Sequence, residues 1–284
     1  MSSAVPTERI LPSVFRGHRA LAVLSTLLAP AAQSLVLNMS AVRRVDAYGG
    51  SVLRAAVEMH VARDPLNDVT IVEPVDDAAW ALTFDLLGGS LLPLRSRWAG
   101  SRSAGRRGSE VLVPATPIVD EEDVRLLVDE TIRRAAGALG YGDHAGHFLQ
   151  EAAQVFLANA QKHGEHSPVP PIVCASLEPQ ANDLQLVTLD LAGNVPAGDA
   201  AEVALRAAVG GGSSGSLNDL VVPRRGGLDV SVRLSWGTGR AWFRTGDSWH
   251  FDTSPGTVPG FVVGGEVHRW GASNPGTTLV QPSD

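Results

Sequence analysis

The chain has 284 residues, enough for two domains of ordinary size, and 44% of them are apolar. Its formal net charge of −7 argues against a general nucleic-acid binder and against a protein held on an anionic membrane by charge. The single cysteine, Cys174, excludes an internal disulfide framework and any multi-cysteine zinc or iron–sulfur site.

The N-terminal residues resemble an export signal only in part. Arg16 and Arg19 precede the apolar stretch 20–28, but the segment before them is long and contains Glu8. Pro30 interrupts the apolar stretch well short of the roughly 20 residues that a membrane span needs. The sequence therefore predicts a cytoplasmic protein that does not cross or bind a membrane.

The sequence predicts an N-terminal tail over residues 1–19, followed by a small α/β domain over residues 20–92. Helices and strands alternate there with short connections, which is typical of a layered α/β unit. The predicted elements are a helix at 20–28, a strand at 34–39, a turn at 46, a helix at 51–62, a strand at 68–72 and a helix at 76–87.

Residues 93–110 hold several arginines among serine and glycine, and we interpret them as a flexible linker between two domains. An arginine-rich clamp for phosphate or nucleic acid is the alternative. A second α/β domain is predicted over 111–270, before a disordered tail over 271–284. Its elements are an extended segment at 110–114, helices at 120–139, 144–163 and 199–209, and strands at 171–177, 184–191, 228–236, 240–245 and 260–268.

The helix predicted at 144–163 carries a polar stripe. Residues four apart share one face of a helix, which places Val155, Asn159 and His163 together, with Lys162 beside them. An asparagine carbonyl is a hard oxygen ligand suited to Mg²⁺, and a lysine or histidine can contact phosphate oxygens. An amphipathic helix with an incidental asparagine remains the alternative.

Two further segments follow in chain order. The strand at 184–191 contains Asp190 near its end, and Gly193 lies in the turn that follows. A glycine-rich loop comes next, and such a loop can present successive backbone N–H groups to an anion. The loop consists of Gly210, Gly211, Gly212, Ser213, Ser214 and Gly215. Taken alone, the segment around Gly193 is typical of an ordinary turn, and residues 210–215 are typical of a plain linker.

In order and spacing, residues 111–268 resemble the GHKL ATPases, most closely the branch of bacterial histidine kinases and anti-sigma factors. The resemblance implies an α/β sandwich in which a helical layer covers a mixed sheet. It also implies that ATP and Mg²⁺ bind, with the metal on Asn159 and the adenine amino group on Asp190. The remaining nucleotide contacts would come from Lys162, His163, Gly193 and residues 210–215.

Two features depart from the family pattern. The general-base position, one helical turn before Asn159, holds Val155, which cannot accept a proton. The two glycines of the family's adenine box fall on Ala192 and Asn194. We therefore expect a regulatory protein with weak or lost nucleotide hydrolysis rather than an enzyme. An active serine kinase or ATPase of the same branch is one alternative, and a nucleotide-free interaction scaffold is another.

Residues 20–90 resemble STAS domains of the anti-sigma-factor antagonist type. A strand, the turn around Asp46, a helix and the strand at 69–72 follow one another in the order found in that family. Tyr48 matches the serine that is phosphorylated there, so control by a serine kinase is not expected. The two resemblances imply a bacterial signalling protein whose partner is another protein, such as a sigma-factor regulator. The sequence leaves the oligomeric state open.

Three other kinds of site have little support in the sequence. The pairs His144/His147 and His163/His166 lack a cysteine or carboxylate that would complete a zinc site. Cys174 lies in an apolar strand and is expected to be a small buried residue. The serines at 213 and 214 lack a recognisable base or nucleophile elbow.

Overall fold

The computed structural model describes residues 5–89, 95–99, 111–120, 147–156, 167, 169–178, 183–191, 229–245 and 248–268. These residues form a mixed α/β structure with a four-stranded parallel sheet, a five-stranded antiparallel sheet and a small two-stranded sheet. The predicted α/β class is therefore confirmed.

The parallel sheet comes from the N-terminal half. Its strands are β1 (Thr7–Ile10), β3 (Ser34–Asn38), β5 (Asp68–Val72) and β6 (Ser96–Ala99), in that order across the sheet. The strands β2 (Val14–Phe15) and β4 (Arg44–Val45) pair separately. The connecting helices are α1 (Gly17–Ala22), α2 (Leu24–Leu28), α3 (Ala47–Arg63) and α4 (Asp77–Leu86). Because each crossover advances one strand and such crossovers are right-handed, the helices share one face of the sheet.

The antiparallel sheet comes from the second half. Its strands are β7 (Val111–Pro117), β8 (Ile172–Glu178), β9 (Asp183–Asp190), β10 (Asp229–Arg244) and β11 (His250–His268), in the order β10-β11-β9-β8-β7. Val230 N donates to Thr245 Oγ1 and Thr245 N donates to Val230 O, both over 2.9 Å. A straight strand would hold these residues about 50 Å apart. The strand β10 therefore folds back on itself, and Gly237, with φ of 60°, lies at the bend.

The helix α3 lies between the two sheets. Every residue from Val45 to Val57 is buried, which is typical of a helix that packs on all sides. The apolar core around α3, between the two sheets, contains residues from both halves of the chain. Its members include Leu37, Val57, Ile71, Ile172, Cys174, Val187 and Leu189. We call the face of the antiparallel sheet that carries Cys174, Val187 and Leu189 the inner face.

The opposite face of the antiparallel sheet, here called the outer face, carries Ala175, Leu184, Leu186 and Val263. A helix over residues 147–156, here α5, packs on it through Phe148, Leu149 and Phe156. Phe148 and Phe156 lie 3.7 Å from the position that a Cβ at Gly265 would take. The layers are thus the parallel sheet, the helices, the antiparallel sheet and α5.

Several predicted elements are confirmed. The strand at 68–72 is β5, and the helix at 76–87 is α4. The helix predicted at 51–62 begins earlier, at Ala47, because the Asp46 carboxylate accepts a hydrogen bond from Gly49 N over 3.0 Å and caps the helix. Within 144–163, residues 147–156 are helical. Residues 121–139 of the helix predicted at 120–139, the helix predicted at 199–209 and the tail at 271–284 lie outside the described residues.

Two segments that were predicted to lack regular structure contain strands in the structure. The tail over 1–19 supplies β1 and β2, and β1 pairs with β3. The linker over 93–110 supplies β6, which pairs with β5. Trp98 anchors β6, because its ring lies 4.7 Å from the ring of Trp80, between ring centroids. The division into two domains stays a prediction. In the part of the chain that is described, no helix is long and apolar enough to cross a lipid bilayer.

Candidate functional site

Among the predicted nucleotide contacts, the structure describes Asp190. The others, Asn159, Lys162, His163, Gly193 and residues 210–215, lie outside the described residues. The structure therefore places one member of the predicted site and leaves the arrangement of the rest as a prediction.

Asp190 is the last residue of β9, the central strand of the antiparallel sheet, and it is 3% exposed. It is paired in register with Phe261 of β11. Because side chains alternate along a strand, Asp190 belongs to the outer face together with Leu184 and Leu186. These two leucines contact the apolar side chains of α5. Asp190 therefore lies at the end of the sheet face that α5 covers.

The backbone around Asp190 is tightly packed. Gly260 has φ of 90°, and a Cβ at this position would overlap the carbonyl oxygen of Asp190. Only glycine combines this φ with such a close approach at low cost. The end of β9 is thus held against β11 in one position.

A cavity of about 310 Å³ lies beside Leu191, the residue that follows Asp190. Most of its lining is apolar, and Arg63 adds a guanidinium group that donates a hydrogen bond to the carbonyl of Leu28. The lining residues are Ser25, Leu28, Ala29, Met59, Arg63, Leu191 and Pro259. Leu191 packs with the inner-face core, so this cavity lies on the side of the sheet opposite to the Asp190 side chain.

Thr188 adds a second polar group to the face that carries Asp190. It is 2% exposed, and its hydroxyl has no hydrogen-bond partner among the described residues. A buried hydroxyl without a partner costs about 1–3 kcal/mol, which a ligand atom can recover. The Asp190 carboxylate can accept a hydrogen bond, and the Thr188 hydroxyl, two residues earlier on the same face, can both donate and accept one. Together they fit the edge of an adenine ring, which carries both a donor and an acceptor.

The described part of α5 contains Val155, the residue at the predicted general-base position. Val155 is partly buried and packs against the apolar cluster formed by Phe148, Leu149 and Phe156. Its side chain has no group that could take a proton from water.

The inner face carries a polar network that was missed in the sequence. Asp183 Oδ2 lies 2.9 Å from His268 Nδ1, and His268 Nε2 lies 3.1 Å from Ser231 Oγ. Ser231 Oγ donates to Glu266 Oε2 over 2.9 Å, and Arg233 lies 3.1 Å from the same oxygen. The residues share a face because they occupy alternate positions of β9, β10 and β11. That alternation is visible in the sequence, whereas the pairing of the strands is not.

Tyr48 and Cys174 are sealed between α3 and the inner face. Burial raises the pKa of the Tyr48 phenol, and the charge of Glu266 raises it further. Burial likewise raises the pKa of the Cys174 thiol, which is 0% exposed, so the expectation of a small buried residue is confirmed. Neither group is accessible to a modifying enzyme.

Among the described residues, no three histidine, cysteine, aspartate or glutamate side chains come together as metal ligands would. Of the two histidine pairs, only His147 is described. Comparison of the chain with protein-family models, curated proteins and solved structures finds no match. The likeness to GHKL and STAS domains therefore rests on the residues quoted above.

Proposed function

We propose that this chain is a cytoplasmic regulatory protein of bacterial signalling that binds ATP and hydrolyses it weakly or not at all. The observation that carries the proposal is the position of Asp190, a buried carboxylate at the end of the central strand, on the sheet face that α5 covers. The GHKL resemblance implies an adenine-binding aspartate at the end of an apolar strand, and Asp190 is the last residue of β9.

The chemistry of the described residues supports an adenine site. The Asp190 carboxylate would accept a hydrogen bond from the exocyclic amino group, and the unpartnered hydroxyl of Thr188 is available to the same ring edge. Asn159 would hold Mg²⁺, which neutralises phosphate charge when bound. Lys162, His163, Gly193 and residues 210–215 would contact the rest of the nucleotide.

The N-terminal half supports the regulatory part of the proposal. A strand, the Asp46 turn, the long helix α3 and β5 follow one another as the STAS resemblance requires. The proposed output is binding of another protein, such as a sigma-factor regulator, and not of nucleic acid. Tyr48 is buried, so this output would respond to nucleotide rather than to phosphorylation at that position.

Calorimetric titration of the full chain with ATP and Mg²⁺ tests the proposal. We expect saturable binding that Asp190→Asn weakens about tenfold or more, because a hydrogen bond to a charged group contributes about 1.5–3 kcal/mol. Asn159→Ala is expected to weaken binding in the presence of Mg²⁺. Asp252→Asn, at an exposed position of β11, is the matched control and should bind like the unaltered chain.

Two results would replace the proposal with an alternative. The absence of binding at millimolar ATP would favour a nucleotide-free scaffold. Steady phosphate release or phosphoryl transfer by the unaltered chain would favour an active kinase or ATPase with a base other than Val155.

A further inference from the structure

The cavity of about 310 Å³ beside Leu191 is formed by both halves of the chain. The N-terminal half contributes the end of α2 and the C-terminal turns of α3, and the second half contributes residues of β11 and of the segment after β9. Its volume is at the lower end of the range of about 300–1,000 Å³ that small-molecule sites occupy. The cavity can therefore hold a small organic ligand that touches both halves.

The walls of this cavity are apolar, and its rim is polar. Leu28 is buried and the other apolar lining residues are partly buried, whereas Ser25 and Arg63 are exposed. A methionine in the wall can adapt its flexible side chain to the shape of a ligand. A ligand that fits this arrangement has an apolar body and one polar end. The apolar lining residues are Leu28, Ala29, Met59, Leu191 and Pro259.

Arg63 supplies a positive charge that is held in place without being neutralised. Its Nη2 donates a hydrogen bond to the carbonyl oxygen of Leu28, which fixes the guanidinium at the cavity. Among the described residues, no carboxylate pairs with it, and the adjacent Asp64 instead accepts a hydrogen bond from Leu66 N over 2.8 Å. A guanidinium has five N–H donors, so two of them remain available to bind a carboxylate side by side.

The charges at the rim select the polar end of the ligand. None of the described lining residues is acidic, and Arg63 would repel a cation. A carboxylate on Arg63 keeps part of its hydration, because Arg63 is exposed, so its binding avoids the cost of full desolvation. The hydroxyl of Ser25 adds a second donor at the same rim.

We propose that this cavity is a binding site for a small aliphatic monocarboxylate, such as a medium-chain fatty acid. The carboxylate binds Arg63 and Ser25 at the rim, and the aliphatic chain packs against Met59 and Leu191. The site lies on the side of the sheet opposite to the Asp190 side chain, so the proposal does not rest on ATP binding. Because both halves contact the ligand, its binding also stabilises their association.

Calorimetric titration of the full chain with sodium octanoate tests the proposal. We expect saturable binding of one octanoate per chain. Shorter acids should bind about fourfold more weakly for each methylene removed, because less apolar surface leaves water. Octan-1-ol has the same aliphatic chain without the charge and should bind about tenfold more weakly than octanoate.

Nuclear magnetic resonance of the methionine methyl groups locates the ligand without any variant. Octanoate should shift the methyl signal of Met59, which lines the cavity. The signal of Met39 should stay unchanged, because Met39 is 0% exposed and is not among the lining residues. The variant Met59→Leu assigns the signal.

Variants separate recognition of the carboxylate from packing of the chain. Arg63→Gln should weaken octanoate binding about tenfold and leave octan-1-ol binding unchanged, and glutamine keeps an N–H donor for the carbonyl of Leu28. Ala29→Phe should weaken the binding of both ligands, because the larger side chain occupies the cavity. Arg19→Gln is the matched control, since Arg19 is exposed and lies in the last turn of α1, outside the cavity lining.

The proposal is overturned if octanoate shows no saturable binding at millimolar concentration or binds no better than octan-1-ol. It is also overturned if Arg63→Gln binds octanoate as well as Arg19→Gln does, or if the Met59 signal does not move. Because the ATP titration reports on the opposite side of the sheet, failure of either titration leaves the other one interpretable.

Discussion

The phenol of Tyr48 is held against the backbone of β11, where a Cβ at Gly264 would overlap the hydroxyl oxygen. This hydroxyl has no hydrogen-bond partner among the described residues. Burial raises its pKa, so the folded chain keeps its proton at pH values where the unfolded chain has released it. Tyr48 therefore contributes to stability below pH about 10, and that contribution is lost as the pH rises above this value.

We predict that Tyr48→Phe leaves the stability at pH 7 unchanged or raises it, because no described hydrogen bond is lost. Above pH 10 the variant should be more stable than the unaltered chain, and the difference should grow with pH. Urea unfolding at pH 7 and at pH 10.5 measures both effects. A loss of more than about 1 kcal/mol at pH 7 would contradict the prediction and indicate a partner for the hydroxyl.

At the scale of single elements, α3 is constrained by its neighbours on every side. A Cβ at Gly49 would overlap the carbonyl oxygen of Phe15, a backbone atom that cannot move independently of β2. A Cβ at Gly50 would lie 3.1 Å from Leu86 Cβ and 3.5 Å from Cys174 Sγ, both of which are side-chain atoms. The two adjacent glycines therefore differ in how well they tolerate a methyl group.

We predict that Gly49→Ala destabilises the fold by more than about 2 kcal/mol, although alanine favours a helix by about 1 kcal/mol over glycine. Gly50→Ala, the matched control, should lower the free energy of unfolding clearly less than Gly49→Ala does, because the side chains of Leu86 and Cys174 can shift by a few tenths of an ångström. Thermal and urea unfolding of the two variants measure the difference. Equal stabilities would show that Phe15 moves with little strain.

The elements that the sequence predicts best are those whose signals are local. The strand β5 is an apolar run bounded by turn residues, and α4 has the capping residue Asp76 at its start. The strand β6 was missed because its place in the sheet depends on Trp98 meeting Trp80, which lies 18 positions earlier in the chain. The contact of Asp183 with His268 is still less local, since it depends on the register between β9 and β11.

At the scale of the whole molecule, the two halves of the chain share one core. Leu53 and Val57 of α3 belong to the same apolar cluster as Val187 and Leu189 of β9. Removing either half would expose this surface, at a cost of roughly 25 cal/mol per Å². The halves should therefore stay associated without an intact connection between them.

We predict that cutting the chain between Gly105 and Arg106, at an inserted protease site, gives two fragments that elute together in size-exclusion chromatography. They should separate only in denaturant. The same protease site placed at the C-terminus is the control for the cleavage conditions. Separation of the fragments in native buffer would show that the shared core contributes little to the association of the two halves.

Because α3 packs against the later strand β9, part of its surface stays uncovered while the chain is being synthesised. The helix leaves the ribosome long before β9, which follows it by roughly 130 residues, or about 6–25 s at 5–20 residues per second. Throughout that interval the side of α3 that packs on Cys174 and Val187 has no partner. Newly made N-terminal halves therefore present an apolar helix face to one another on a polysome. This is the condition under which nascent chains aggregate, and slow translation of residues 64–190 would prolong it.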